Sequence, residues 1–394
     1  MNSVQSSVTS DQLEGKRPLP EGWGWTTVGD VVSFEYGKGL TQDKRDASGK
    51  VPVYGSNGIV GYHSAALIDK PCLVIGRKGA AGAVHKSDVP CWPIDTTYFT
   101  IPPENINLHF LYYLFLTLDF ASLDRSTAIP GLNRNDAYAV NIPLPPLPEQ
   151  ERIVARLEEL LSNLEAGVAA LARVRAGVKR YKASVLKAAC EGKLYGDKGV
   201  ENGELPEGWE WTTLGESCDI VLGQSPSSDT YNVDGNGLPF YQGKAEFGDL
   251  YPTPEKWCSS PKKVAEENDI LITVRAPVGP TNLCPEKSCI GRGLAAIRPR
   301  NGMPTKFFLY FLRYIEKEWD IKATGTTFKA ITGDVLRNQE MPLPPLEEQR
   351  RIVAEVELRL ESARAVESAV EAGLKRAAWL RQAVLRSAFE GRLS

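Results

Sequence analysis

"PLPPLPEQERIVA" spans residues 143–155, and "PLPPLEEQRRIVA" spans residues 342–354. The two phrases head a longer repeat. Residues 143–194 align without a gap to residues 342–393 and close alike, in "CEGKL" (190–194) and "FEGRL" (389–393). A second pair lies upstream, "LPEGWGWTTVG" from Leu19 and "LPEGWEWTTLG" from Leu205. A spacing of roughly 200 residues is far too long for a solenoid and means a duplicated pair of domains. The order is globule, helix, globule, helix. The globules cover residues 19–142 and 205–341, the helical segments 143–194 and 342–394, with a linker over 195–204. Residues 1–18 read as a polar, disordered leader, with neither the basic start nor the apolar centre of a signal peptide.

After the first Pro-rich phrase, Ile153, Leu157, Leu160, Leu164, Leu171, Val174, Val178, Tyr181 and Val185 follow alternating steps of four and three, interrupted at Gly167. That is the heptad seam of a coiled coil. Pro148 suits a first helical position, and Glu149 and Glu151 suit the positive end of the helix dipole. The same register in the second copy gives Ile352, Val356, Arg359, Ala363, Val366, Val370, Gly373, Ala377, Leu380 and Val384, with Leu360 and Leu374 at its flank. A helix of about 40 residues is about 60 Å long and cannot bury its stripe alone. The preferred partner of each helix is the other, antiparallel, because the intervening globule leads the chain back. Self-association of two chains through the same seam is the open alternative.

The globules are rich in short β-type runs such as "KPCLVIGRKG" (70–79), "TTYFTI" (96–101) and "NDILITVRAPVG" (268–279). Helical stretches follow late, at residues 107–118 and 305–319. The predicted class is α+β, with two tandem globules separated by two long helices and a pseudo-two-fold internal repeat. Trp23, Trp25, Trp209 and Trp211 are expected to bury large aromatic area at a strand start.

Composition is that of an ordinary soluble globular protein, 42% hydrophobic and 24% charged over 394 residues. No apolar run approaches the roughly 20 residues that span a membrane, so a cytoplasmic protein is expected. Seven cysteines without a CxxC pair read as buried thiols in a reducing compartment. The usual catalytic signatures are missing from the sequence. No Gly-Lys pair is followed by the Ser or Thr of a phosphate-binding loop, and there is neither a GxSxG elbow nor an HExxH zinc motif. His63, His85 and His109 are scattered, and "NIPLPP" (141–146) has the wrong order for the Asn-Pro-Pro-aromatic motif of amino-methyltransferases. Two similar globules on a rod, without visible chemistry, look like a reader or a ruler.

The "PLPPL.EQ..IV" openings, the "EGKL" and "EGRL" endings and the two-fold order resemble the specificity subunit of Type I restriction–modification systems, from about Leu19 to Leu393. The resemblance implies two target recognition domains, each reading one half of a bipartite, asymmetric double-stranded DNA sequence, with the helices setting the spacer. It implies a subunit without catalysis or cofactor of its own. Two methyltransferase subunits would dock on it and bring S-adenosylmethionine, and two restriction subunits would bring ATP and Mg. A coiled-coil scaffold that binds proteins is the alternative, and a fragment of a fused enzyme a third reading.

Base readers should be loop-borne polar side chains, because bidentate contacts in the major groove need their donors and acceptors. In the first globule the candidates are Lys38, Ser56, Asn57, Tyr62, Arg77, Lys78, Asn133 and Arg134. In the second they are Gln224, Ser225, Tyr241, Gln242, Lys244, Arg275, Arg292, Thr326 and Lys329. Bulk charge argues the other way. The net charge is −3, the first globule carries ten Lys and Arg against twelve acids, and the second fifteen against eighteen. Strong phosphate binders are usually basic. The positive residues are therefore expected on one face, with the methyltransferase partners supplying much of the phosphate contact.

Overall fold

Each Trp-rich phrase forms a strand that pairs with the head of the Pro-rich phrase that follows it. Gly24–Thr27 runs antiparallel to Asn141–Leu144, with Trp25 opposite Pro143. Glu210–Thr213 runs antiparallel to Glu340–Leu343, with Trp211 opposite Pro342. Both pairs are two-stranded ribbons, where a strand proline is tolerated because one edge is free. The helices consequently start later than residues 143 and 342, at Leu147–Cys190 and Leu346–Phe389.

The computed structural model describes residues 18–46, 48–123, 130–195, 204–323 and 330–393. Most of the expected leader and linker lies outside the described residues. The chain divides into two units, Met1–Leu171 with Ala372–Ser394, and Ala172–Glu371.

In the first unit a four-stranded sheet has the order Glu35–Tyr36, Thr97–Thr100, Cys72–Gly76, Val84–Ser87. A three-stranded sheet has the order Gly58–His63, Val51–Gly55, Trp92–Pro93. The helix Leu108–Phe115 packs on the larger sheet and buries Phe110, Leu111 and Leu114. The same core takes in Ile153, Val154, Leu157 and Leu161 from the start of the first long helix, and Leu385, Ala388 and Phe389 from the end of the second. Phe110 and Phe389 meet edge to face with centroids 5.4 Å apart.

The second unit repeats the plan. Its four-stranded sheet runs Cys218–Leu222, Leu294–Pro299, Ile270–Thr273, Thr281–Leu283. Leu238–Tyr241 lies parallel to Ser288–Ile290, as Val51–Gly55 lies parallel to Trp92–Pro93 in the first unit. The helix Thr305–Tyr314 shares a core with Val185, Ala189 and Cys190 of the first long helix and Ile352, Val356 and Leu360 of the second. Each globule is thus completed by the beginning of one long helix and the end of the other.

The long helices pack antiparallel within each unit. In the first, Arg381 reaches Glu165 at 3.2 Å, and a Cβ on Gly373 would stand 3.0 Å from the Leu171 side chain. In the second, Lys182 pairs with Glu367. The buried stripe departs from the expected seam. Leu161 is buried where Leu160 is only half-buried, and Val174 and Tyr181 are each 45% exposed. Arg359 turns to Glu355 at 2.6 Å and to the Leu194 carbonyl at 3.3 Å, while Leu360 faces the core. A helix that faces a globule presents a wider stripe with a 3.6-residue period, not a narrow two-helix seam.

The endings have one job. Gly192 and Gly391 both take φ +71°, and the amides of Lys193 and Arg392 close back on the carbonyls of Ala188 and Ser387 at 2.8 and 2.9 Å. This is the left-handed glycine stop of a helix. A Cβ at Gly192 would lie 2.7 Å from Pro206, and at Gly391 2.2 Å from Pro20, so the "LPEGW" prolines sit directly on the helix ends. Of the four tryptophans, Trp209 is buried and donates Nε1 to Glu348 at 3.0 Å, and Trp23 and Trp25 are half-buried. Trp211 is 52% exposed, against the expected burial, because a two-stranded ribbon leaves one face open. All seven cysteines are buried thiols. Among the described residues no helix is long and apolar enough to cross a membrane.

The glutamine of each "EQ" is buried and folds back on its own helix start. Gln150 Nε2 donates to the Pro145 carbonyl at 2.9 Å, and its Oε1 accepts from the Asn107 amide at 2.8 Å. Gln349 Nε2 makes the matching bond to Pro344 at 2.9 Å. Pro304 stands where the first unit has Asn107 and offers no N–H, so Gln349 Oε1 has no donor among the described residues. Gln150→Ala should therefore cost the first unit about 2–3 kcal/mol, and Gln349→Ala should cost the second about 1 kcal/mol less. Hydrogen exchange at the amides of Phe110 and Phe307 reads the two units separately.

Candidate nucleic-acid interface

The candidate readers of the first globule mostly converge. A hollow of about 400 Å³ is lined by Tyr36, Arg77, Lys78, Tyr98 and residues 131–135. Lys78 bridges by backbone to Gly131, which ties the two candidate loops together. Lys38, exposed, follows Tyr36 by two residues, and its carbonyl is held by Trp92 Nε1 at 2.8 Å. The Ser56–Asn57 hairpin tip joins from the side. Gly76 and Gly79 lie close under Ser56, and His85 Nε2 stands 3.0 Å from the Ser56 carbonyl. Asn57 and Tyr62 are exposed, Tyr62 on the edge strand of the smaller sheet.

The cations around this hollow are held differently. Arg77 gives Nε and Nη2 to the Asp95 carbonyl at 3.2 and 2.8 Å, and its guanidinium lies 5.3 Å from the Tyr36 ring centre. Arg134 lies 5.5 Å from Tyr36 and 5.9 Å from Tyr138. Asn133 spends its Oδ1 on capping its own short helix, accepting from the Asn135 amide at 2.8 Å. Tyr36, 54% exposed, is the centre of the group and was not among the candidates. Its signal in the sequence is an aromatic directly before a glycine-rich, lysine-bearing turn, "EYGKG" (35–39).

In the second globule Gln224, Ser225, Gln242 and Arg292 come together. Ser225 Oγ accepts from the Arg292 amide at 3.2 Å, and a Cβ on Gly293 would collide with the Gln242 carbonyl at 2.1 Å. Arg275 is exposed and bridges by backbone to Ala330. Thr326 and Lys329 lie outside the described residues. Lys244 points elsewhere. It lines a cavity of about 990 Å³ with Lys179, Lys182, Lys187, Arg313 and Lys317, between the globule and the end of the first long helix.

Tyr241 is a correction. It is 0% exposed, its hydroxyl has no partner among the described residues, and burial pushes its pKa up to about 12. It belongs to a strand covered on both faces, so it packs the core and cannot meet a ligand.

The two globules share one backbone frame under these loops. The amides of Gly37 and Gly223 bond to Thr97 and Leu294, those of Arg77 and Val274 to Thr96 and Gly293, and those of Leu132 and Ile331 to Arg77 and Val274. On that frame Tyr36, Arg77 and Arg134 occupy the places of Leu222, Val274 and Gly333. The scaffold repeats, while the side chains that crown it do not.

The family model described as the type I restriction modification DNA specificity domain matches residues 20–171 and again residues 206–357. The chain belongs to this family. Its relatives are specificity subunits, the non-catalytic components that carry DNA sequence specificity. The protein assigned as the MjaX specificity subunit of Methanocaldococcus jannaschii is 42% identical over 228 residues, 56% of this chain and 53% of that one, so the match spans about half of that relative. The EcoDI specificity subunit of Escherichia coli is 25% identical over 95% of this chain and 90% of its own length. Among solved structures, the HsdS subunit of Thermoanaerobacter tengcongensis is 37% identical with a TM-score of 0.61, covering 96% of this chain and 100% of that one. A chain solved in work on complex assembly and conformational transition of the type I R-M system is 36% identical with a TM-score of 0.78, at the same coverage.

For a specificity chain the placement of Tyr241 has a direct consequence. Tyr241→Phe should leave the recognised DNA sequence unchanged and hold stability within about 1 kcal/mol of wild type or raise it, because it removes a buried hydroxyl without a partner. Thermal unfolding and a methylation map of the variant check both.

Proposed function

We propose that this chain reads a bipartite, asymmetric double-stranded DNA target, one half-site per globule, while its two long helices set the number of unread base pairs between them. The observation that carries this reading is the common frame with divergent crowns: Tyr36, Arg77 and Arg134 on one, Leu222, Val274 and Gly333 on the other. Equal frames read in equal geometry, and unlike side chains read unlike bases. The chain performs no chemistry in this scheme. Two methyltransferase subunits dock on it and supply adenine methylation with S-adenosylmethionine, and two restriction subunits add ATP- and Mg-dependent cleavage. The exposed apolar residues of the long helices, Val174, Tyr181 and Trp379, favour such docking. The candidate DNA contacts are Lys38, Ser56, Asn57, Tyr62, Arg77, Lys78 and Arg134 in one globule, and Gln224, Ser225, Gln242, Arg275 and Arg292 in the other. Thr326 and Lys329 stay with them on sequence grounds.

Co-expression with a partner methyltransferase in a methylation-free host, followed by long-read mapping of modified adenines, tests the reading. One bipartite motif with a fixed gap is the expected result. A stable complex that leaves DNA unmodified would favour a protein scaffold instead. Inserting four residues at matched points in both helices adds about 6 Å. The gap should then widen by up to about two base pairs, at about 3.4 Å each, with both half-sites unchanged.

A further inference from the structure

Arg134 differs from Arg77, the other guanidinium of the first hollow. Its guanidinium rests between the rings of Tyr36 and Tyr138. It makes no hydrogen bond or ion pair among the described residues, whereas Arg77 spends two of its nitrogens on the Asp95 carbonyl. An arginine stacked on aromatic faces loses side-chain freedom in advance and keeps its whole fork of N–H donors for a ligand. Its backbone is fixed as well, since Asn133 caps the turn that Arg134 begins.

The repeat supplies an internal comparison. In the second globule the places of Tyr36, Arg134 and Tyr138 are held by Leu222, Gly333 and Arg337, so the stacked fork is not repeated at this place. A role in holding the fold would call for it in both. A role in reading one particular half-site calls for it in one.

We propose that Arg134, held between Tyr36 and Tyr138, reads a guanine in the half-site bound by the first globule. The planar fork matches the paired acceptors O6 and N7 of guanine, which no other base presents in the major groove. A phosphate also accepts such a fork, but a phosphate contact carries no sequence information and adds to the salt dependence. This inference rests on the proposed function and sharpens it.

The test uses the assembled complex with its methyltransferase. Wild type, Arg134→Ala, Arg134→Lys and Tyr36→Leu are compared by methylation mapping. They are also compared by equilibrium binding, over a range of salt, to duplexes in which each G·C pair of the motif is replaced in turn. Arg134→Ala should lose roughly 10- to 100-fold of discrimination at one guanine of the first half-site. The salt slope should hold, and the second half-site should still be read, which also shows that the variant is folded. Arg134→Lys should not restore that discrimination, and Tyr36→Leu should lose several-fold at the same position. The inference falls if Arg134→Ala weakens all sequences alike with a salt slope smaller by about 1 and Arg134→Lys restores it, which is the signature of a phosphate contact. It falls equally if the first half-site contains no guanine. A wild-type complex without any motif overturns the proposed function itself, a different result from either.

Discussion

The corner where three repeated phrases meet holds the rest of the molecule in place. At each corner a Trp-rich strand pairs with the head of a Pro-rich strand. A proline of the Trp-rich phrase sits on the glycine that stops a long helix, Pro20 on Gly391 and Pro206 on Gly192. A buried glutamine ties the next helix to the carbonyl before it. None of these contacts involves a loop that could read a ligand. They fix where each helix leaves a globule and where the other helix arrives, which is why the phrases recur with so little change.

The separation of frame from crown follows from that corner. Strand pairing and helix stops demand specific backbone conformations, so glycine and proline recur at the same places in both halves. The loop tips answer to no such demand. A hollow built on Tyr36 and two guanidiniums in one globule becomes Leu222, Val274 and Gly333 in the other on the same three pairs of backbone bonds. The residues at the loop tips can therefore differ between the two globules while the fold beneath them stays the same.

Much of this was legible in the residues. The repeat, the α+β globules, the long helices and their antiparallel packing follow from phrase spacing and periodicity. The buried stripe leaves the heptad seam where a helix meets a globule. There Ile153, Val154, Leu157 and Leu161 bury together, a pattern that a two-helix template does not contain. Tyr241 is a candidate reader by sequence, yet it closes the buried strand Leu238–Tyr241 and packs in the core. Tyr36 is the opposite case. Its strand is two residues long, so an aromatic that looks like core stands at the surface. The convergence of residues 36, 77 and 134 depends on strand order, which no local pattern encodes.

Because the core of the first unit needs the end of the second long helix, the order of synthesis matters. Phe110, Ile153 and Leu157 leave the ribosome long before Leu385 and Phe389, their partners in one core. The second unit is complete once residue 371 has emerged. The unit begun first is finished last, and its apolar face waits uncovered through most of translation. A nascent chain with that geometry is a natural client for chaperones.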